Sequence, residues 1–589
     1  MPVIGTAGHV DHGKSTLVLT LTGRDPDRWA EEKTRGLTID LGFAWSALPS
    51  GVEVSFVDVP GHEQFMKNML AGIESVDIAL LVVAADEGWM PQSEEHLVVL
   101  DLLGAAGGVV ALTKTDRVDD ELVELATLEI EERLEGTSLA GAAVIPVSAH
   151  TGSGIDELRT ELDRLVSLLS PEPEGRPRLW IDRSFSISGA GTVVTGTLLG
   201  GSVSTGDKLA VWPGPLEGRV RSIQSHEQDM DRTGPRRRVA LNLAGLDRGQ
   251  IGRGAMAGRR QQWAPTARFS AAIKAARYVE QLTDKGAYHL HVGSGAWPIR
   301  LRMLSDAVAL IELPETLPLQ MGDRFIVRET GRRLVMGGGT VLDPAPPRRG
   351  SEALAGAAAL TAALEQGTDA MAEALLEVRG SETVTTLDAH TGGGQVGNAV
   401  RMGDTLMTNR RVAELVSAAT GRVDEFHRAN PLRPGMPIAS LASALGLPAP
   451  VMEGILERSP DLEAEAAVAR RSGFVVDRGD RDAEWAEARS KLVGDGVNVP
   501  RIAELGIDRE LLHALVRDGE LVKISDEFVF LPSQIQAITD ELAGMESGFT
   551  VSEFKDRTGL SRKYAVPFLE WADRTGLTVR MGDTRRLRS

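Results

Sequence analysis

Over residues 1–170, short apolar runs alternate with amphipathic stretches. VIGTAG (3–8), VEVSFVDV (52–59), IALLVVA (78–84), GGVVALT (107–113) and AAVIPV (142–147) are β-rich and largely apolar, as strands covered on both faces are. SEEHLVVLDLLG (93–104), DELVELATLEIEERL (120–134) and GIDELRTELDRLVSLL (154–169) carry helical periodicity. The alternation predicts a mostly parallel sheet flanked by helices. PEPEGRPR (171–178) predicts a stiff linker. From Leu179 to about Leu342 short strands follow one another without a long helix, the pattern of one or two β-barrels. PAPPRRG (344–350) is a second linker. After Ser351 the chain turns helical, and a helix–turn–helix followed by a strand pair recurs about every 50–65 residues. That unit reads as a winged helix.

The fold class expected is therefore multidomain: an N-terminal α/β P-loop GTPase domain, two β-barrels, then tandem winged-helix domains. The expected divisions are 1–172 for the GTPase domain, 178–262 and 263–345 for the barrels, and 351–411, 412–478, 479–535 and 536–589 for the winged helices. A length of 589 residues requires several cores of this kind. The absence of cysteine excludes disulfides, thiolate zinc sites and cysteine nucleophiles. MPVIGTAGHV has no basic leader, and no apolar run is long enough to span a bilayer, so neither a signal peptide nor a membrane partner is expected. The net charge of −19 is uneven: Met545–Ser589 carries +3 and the preceding residues −22.

The candidate chemistry begins at GHVDHGKS (8–15), which fits G-x-x-x-x-G-K-[ST] between a strand and a helical run. Glycines let backbone N–H groups turn toward phosphate oxygens, and the helix N-terminus adds positive potential. Lys14 would neutralise the β- and γ-phosphates and Ser15 would bind Mg²⁺. DVPGH (58–62) ends a strand: Asp58 can hold Mg²⁺ through water, and the Gly61 N–H can reach the γ-phosphate. TKTD (113–116) ends another. Asp116 can accept from guanine N1–H and its 2-amino group, which adenine lacks, so GTP is selected over ATP. SAH (148–150) can back the guanine oxygen with a backbone N–H. RGLTID (35–40) reads as a switch segment in which Thr38 completes Mg²⁺ coordination while a γ-phosphate is present. His62, next to Gly61, can orient the attacking water.

Together these motifs resemble the translational GTPases, especially elongation factor Tu. The resemblance implies that Asp11, His12, Gly13, Lys14, Ser15, Thr16 and Gly61 surround the phosphates. Ser15, Thr38 and Asp58 would serve Mg²⁺, and His62 would be catalytic. Thr113, Lys114, Asp116, Ser148 and Ala149 would hold guanine, with GTP and GDP as the ligands. Thr113 departs from the family's asparagine, which weakens its own contact. IDRSFSISGAGTVVTGTLLGG (181–201), RRRVALNLAG (236–245) and the roughly 240 residues after the barrels are similar to the bacterial selenocysteine-specific elongation factors. That likeness implies selenocysteinyl-tRNA, an mRNA hairpin (SECIS) marking UGA, and the ribosome as partners of a cytoplasmic monomer.

A selenol ionises near neutral pH, so a pocket that prefers it to serine should offer cations. By the resemblance, Arg183 and Arg238 meet the selenolate while Asp182 orients them or the amino group. The plainer reading makes Asp182 and Arg183 a surface ion pair. In the last module Ser561 can cap a helix whose first turn carries Arg562 and Lys563, a placement that opposes the helix dipole. By the resemblance these two residues grip the hairpin, with Arg580, Arg585, Arg586 and Arg588 on the wing. Two other readings compete: another translational GTPase, such as an initiation or sulfate-activating relative, or a DNA-binding regulator with a GTPase head.

Overall fold

The computed structural model describes residues 1–588 except 27–37, 39, 63, 64, 66, 67, 71–75, 106, 171–174, 188–190, 215, 495 and 547. Most of RGLTID and the acidic start of the first linker thus lie outside the described residues; Thr38 and Asp40 lie inside them. The chain divides into two compact units, Met1–Thr408 and Asn409–Ser589.

The first unit opens with a six-stranded sheet. Its strands are β1 (Val3–Gly8), β2 (Gly42–Ala47), β3 (Glu53–Asp58), β4 (Ile78–Ala84), β5 (Gly108–Thr113) and β6 (Val144–Pro146), in the order β2-β3-β1-β4-β5-β6. Only β2 runs antiparallel. The helices α1 (Lys14–Thr22), α2 (Pro91–Leu103), α3 (Asp120–Leu134) and α4 (Ile155–Ser167) cover it. Two apolar layers result. Ile4, Leu17, Phe56, Leu80 and Leu158 pack on one face, and Val3, Val57, Leu81, Leu97 and Ile130 on the other. The apolar runs are continuous because every residue of β1, β4 and β5 is buried.

The first barrel closes through Lys208–Trp212, Met256–Gly258, Arg178–Ile187, Gly191–Leu199, Arg237–Ala244 and Leu216–Ser225, with the first and last of these strands paired. The second barrel closes through six strands between Thr266–Ala275 and Val335–Asp343. Ala276, Ile326 and Val335 of this second barrel are buried in the GTPase core.

The helices Gly350–Leu364, Thr368–Arg379 and Val384–Thr391, with a three-stranded sheet ending at Met407, form the first winged module. Ala357 and Leu360 share a core with Met321 and Leu342 of the second barrel. The next helix starts at Asn409, ahead of the expected division at 412.

The described residues of both linkers are tied to their neighbours by arginine contacts. Arg178 forks onto Asp323 of the second barrel at 2.6 and 2.9 Å, with both side chains buried. Arg176 donates to Gln320, to the carbonyls of Asp388 and Ala389, and to that of Gln262. In the second linker the carbonyls of Pro346, Pro347 and Arg348 accept from Arg268. Composition places Arg176 and Arg178 in a linker, whereas geometry places them in an interface.

The second unit holds three further modules. The first has helices Asn409–Ala429, Ile438–Leu445 and Ala449–Glu457 with a three-stranded sheet. The next has Arg481–Gly494, Arg509–Arg517 and a two-stranded hairpin. The last has Pro532–Ala543, Val551–Thr558, Arg562–Thr575 and a three-stranded wing. The last two share one core, in which Phe530, Phe554, Tyr564 and Phe568 are buried. The Tyr564 hydroxyl donates to the Val499 carbonyl at 2.8 Å. Among the described residues no single helix is long and apolar enough to cross a membrane.

Candidate functional site

The loop after β1 is shaped by residues that accept positive φ. Gly8 has φ 132° and would place a Cβ 2.1 Å from the Val82 carbonyl oxygen. Asp11 (φ 64°) and Gly13 (φ 86°) are left-handed, and Gly13 caps α1. The N–H groups of Lys14, Ser15 and Thr16 therefore point out of the helix start without intrahelical partners. Lys14 is buried, and its Nζ donates to the carbonyls of Gly8 (3.0 Å) and His9 (2.7 Å). Burial pushes its ammonium pKa down to about 8, against the pull of Asp58 and Asp11. A cation this deep calls for an anion beside it. Gly61 abuts the same ammonium: a Cβ there would lie 2.5 Å from Nζ and 2.8 Å from the Val10 nitrogen.

The three residues expected at the metal converge. Ser15 Oγ donates to Asp58 Oδ2 at 2.6 Å and lies 2.8 Å from Thr38 Oγ1. Thr6 donates to the other Asp58 oxygen at 2.7 Å and accepts from the Val59 N–H, which fixes the carboxylate. Two hydroxyls and one carboxylate are hard oxygen donors suited to Mg²⁺ when phosphate oxygens supply the rest. Among the described residues no cluster of three or more His, Cys, Asp or Glu side chains offers a competing metal site. His62 follows Gly61 and is half-buried.

At the far end of the sheet, Asp116 accepts from Ser148 Oγ at 2.6 Å, and that bond holds its carboxyl below the usual range. Ser148 in turn is fixed by Thr151 N–H onto its Oγ and by its own N–H onto the Ser153 carbonyl, with Ala149 next in the turn. Lys114, left-handed at φ 57°, pairs with Glu87 (2.7 Å) and Asp86 (3.3 Å).

Two expected contacts are different in kind. The Thr113 hydroxyl donates to the His12 carbonyl (2.7 Å), so it braces the phosphate loop rather than facing the base. The His12 ring is buried, with Nδ1 3.3 Å from the Val82 carbonyl, and burial lowers its pKa to about 4. The His12 ring thus faces the sheet, and its carbonyl meets Thr113.

Two residues that the sequence reading passed over hold the loop from behind. Gly8 N–H donates to His96 Nδ1 (2.8 Å), and Val10 N–H donates to Gln92 Oε1 (3.0 Å). Gln92 and His96 sit four residues apart on α2, hence on one face. That i,i+4 spacing in PQSEEH was the available signal.

The arginine pocket lies between β2 and the first barrel. Phe43, Trp45, Phe185, His226, Arg183 and Arg238 line a cavity of about 240 Å³. Asp182 pairs with Arg238 through both carboxylate oxygens, one at 3.1 Å, and accepts from Thr195 at 2.7 Å. The Arg238 guanidinium stacks 3.4 Å over the Phe43 ring. Arg183 reaches instead to Asp40 (2.9 Å) and to the Leu41 carbonyl (2.7 Å). The Asp182–Arg183 ion pair is therefore corrected to Asp182–Arg238, because Arg183 is taken up by Asp40 and the Leu41 carbonyl where the strand register shifts at 181–183. Neighbouring Arg236 turns away onto Asp77 and the Ser170 carbonyl.

In the last module Ser561 occupies the cap position, but its side chain makes no cap bond. Arg562 and Lys563 are exposed in the first turn, and Lys563 Nζ lies 4.6 Å over the Tyr564 ring. On the wing Arg580 and Arg586 are exposed, whereas Arg585 is buried against Asp573 at 3.0 Å. The period-two alternation that exposes Arg586 turns Arg585 inward.

Comparison with known proteins follows the same divisions. Residues 1–168 match the elongation factor Tu GTP-binding domain, and 266–348 the β-barrel domain of selenocysteine-specific elongation factor. Residues 421–475 and 540–587 match winged helices of elongation factor SelB. The chain is 34% identical to a selenocysteine-specific elongation factor of Desulfomicrobium baculatum, over the full length of both. It is 33% identical to one of Escherichia coli K12, covering all of this chain and 98% of that one. It is similar throughout to the crystal structure of a bacterial selenocysteine-specific elongation factor, EF-Sec, at 28% identity and a TM-score of 0.75.

Proposed function

We propose that this chain, which belongs to the family of selenocysteine-specific elongation factors, carries selenocysteinyl-tRNA to the ribosome while GTP is bound and hydrolyses the GTP once decoding succeeds. It is a translational GTPase, and the reading as a DNA-binding regulator falls away with its full-length relatives.

Lys14 and the N–H groups at the start of α1 bind the phosphates, and Asp116 accepts from guanine. Ser15, Thr38 and Asp58 would hold Mg²⁺, which when bound neutralises charge on the β- and γ-phosphates. His62 orients the water for attack on the γ-phosphate. Thr38 is the sensor; what supports this is that its hydroxyl lies 2.8 Å from Ser15 Oγ, within reach of the same ion.

Cargo choice is assigned to the cavity with Arg183 and Arg238, whose charge a selenolate matches and a serine hydroxyl does not. The observation that carries this reading is that both guanidiniums line one cavity, and that Arg183 touches Asp40, two residues from Thr38. Arg562 and Lys563 would contact the mRNA hairpin that recodes UGA, in the cytoplasm, with the chain acting as a monomer.

The test is protection of the aminoacyl ester from hydrolysis in the presence of GTP or GDP. Strong protection of selenocysteinyl-tRNA with GTP alone supports the reading; equal protection of seryl-tRNA defeats it.

A further inference from the structure

Helix α2 presents polar residues on two opposite sides. One side, Gln92 and His96, accepts the N–H groups of Gly8 and Val10. The other, Glu94 and Asp101, takes cations from the second barrel. Arg277 forks onto Glu94 and also donates to the Arg133 carbonyl at 2.8 Å, while Lys274 meets Asp101 at 3.1 Å. Trp89 Nε1 donates to the same Glu94 at 3.1 Å. At the end of the helix a Cβ on Gly104 would lie 1.3 Å from Arg324 of the barrel, so barrel and helix end are in direct contact. The phosphate loop, α2 and the second barrel thus form one continuous series of directional contacts.

We infer that α2 is a strut through which docking of the second barrel fixes the phosphate loop, with His96 and Gln92 as the positioning residues that set how long the nucleotide stays bound. The two amides they hold cannot themselves reach the phosphates. What they fix is the curvature of the loop whose later N–H groups do. His96 suits the task because it is fully buried and held neutral by that burial, so Nδ1 remains an acceptor at physiological pH. Among the described residues its Nε2 has no hydrogen-bond partner, so among them the buried ring's one directional bond is the bond to the loop.

The test is the dissociation rate of a fluorescent GDP from the full-length protein, followed by stopped flow. His96→Leu, which lacks the acceptor, should release GDP about tenfold faster, the loss expected when a buried N–H is left unpaired. His96→Asn, whose Oδ1 stands where Nδ1 stood, should stay within about threefold of the parent chain. Arg277→Ala should accelerate release about threefold, and combined with His96→Leu it should add nothing, since both cut one series of contacts.

A merely structural role predicts otherwise: both His96 variants would release at the same rate, and the double variant would be multiplicative. Either result overturns the inference. If His96→Leu does not fold, Gln92→Leu at its half-buried position gives the same reading against Val10.

Discussion

Arg238→Met tests the cargo pocket at its most quantitative point. Arg238 does not enter the cavity as a bare cation, since Asp182 accepts from it with both oxygens. A selenolate therefore meets a dipole. With the anion about 4 Å from the guanidinium and about 7 Å from the carboxylate, an effective dielectric of about 20 gives a net attraction of ~2 kcal/mol, against ~4 kcal/mol for an unpaired cation. Loss of ~2 kcal/mol corresponds to about 30-fold in the ratio of selenocysteinyl- to seryl-tRNA affinity. Ester-protection titrations with each charged tRNA, at saturating GTP, measure that ratio.

The substitution also strands a buried carboxylate, which costs about 3–5 kcal/mol of stability. Asp182→Asn combined with Arg238→Met removes both charges, so it should recover much of that stability while discriminating as poorly as the single variant. An unchanged ratio in both would refute the reasoning. A thousandfold loss would show that Asp182 releases Arg238 when cargo binds.

Three further outcomes follow. Thr38→Ala removes the hydroxyl 2.8 Å from Ser15 Oγ, so preference for GTP over GDP should fall by about tenfold in nucleotide competition, the value of a charge-assisted contact; unchanged preference would remove Thr38 from the sensor role. Burial holds His12 and His96 neutral down to about pH 4 and about pH 3, against 6.5 in the unfolded chain. Only the unfolded state gains protons as pH falls through 6.5, so the stability present above 6.5 is lost on acidification, by about 2 kcal/mol per histidine at pH 5; a thermal midpoint that does not change over that range would contradict it. Arg562→Ala with Lys563→Ala should abolish binding of the mRNA hairpin and flatten its salt dependence while GTP binding persists, as filter binding would show.

The sequence was most informative where chemistry needs fixed spacing. GHVDHGKS, DVPGH and TKTD each occupy a strand end, and DELVELATLEIEERL matches α3 residue for residue. It was least informative where partners come from distant segments. β2 went unread because GFAWSA is short and lacks period-two alternation. Asp182 finds Arg238 across 56 positions, and Gly8 finds His96 across 88. Neither pairing leaves a local trace. Arg176 and Arg178 were read as linker because proline and glutamate dominate their neighbourhood, yet what they bind lies 86 to 213 residues downstream.

Arg176 also limits how the chain can be divided. One guanidinium takes acceptors from the end of the first barrel, from the second barrel and from the first winged module, and it stacks on Trp263 at 4.4 Å. A fragment trimmed after the second barrel, at residue 345, would strip this half-buried cation of the Asp388 and Ala389 carbonyls. It would also separate Asp343 from its partner Arg379. A piece that ends at Thr408, the boundary of the first compact unit, keeps all of these groups together. Inheritance meets the same limit: a first winged module exchanged between relatives would have to bring matching barrel residues with it, because Arg176 and Asp343 fasten the two together.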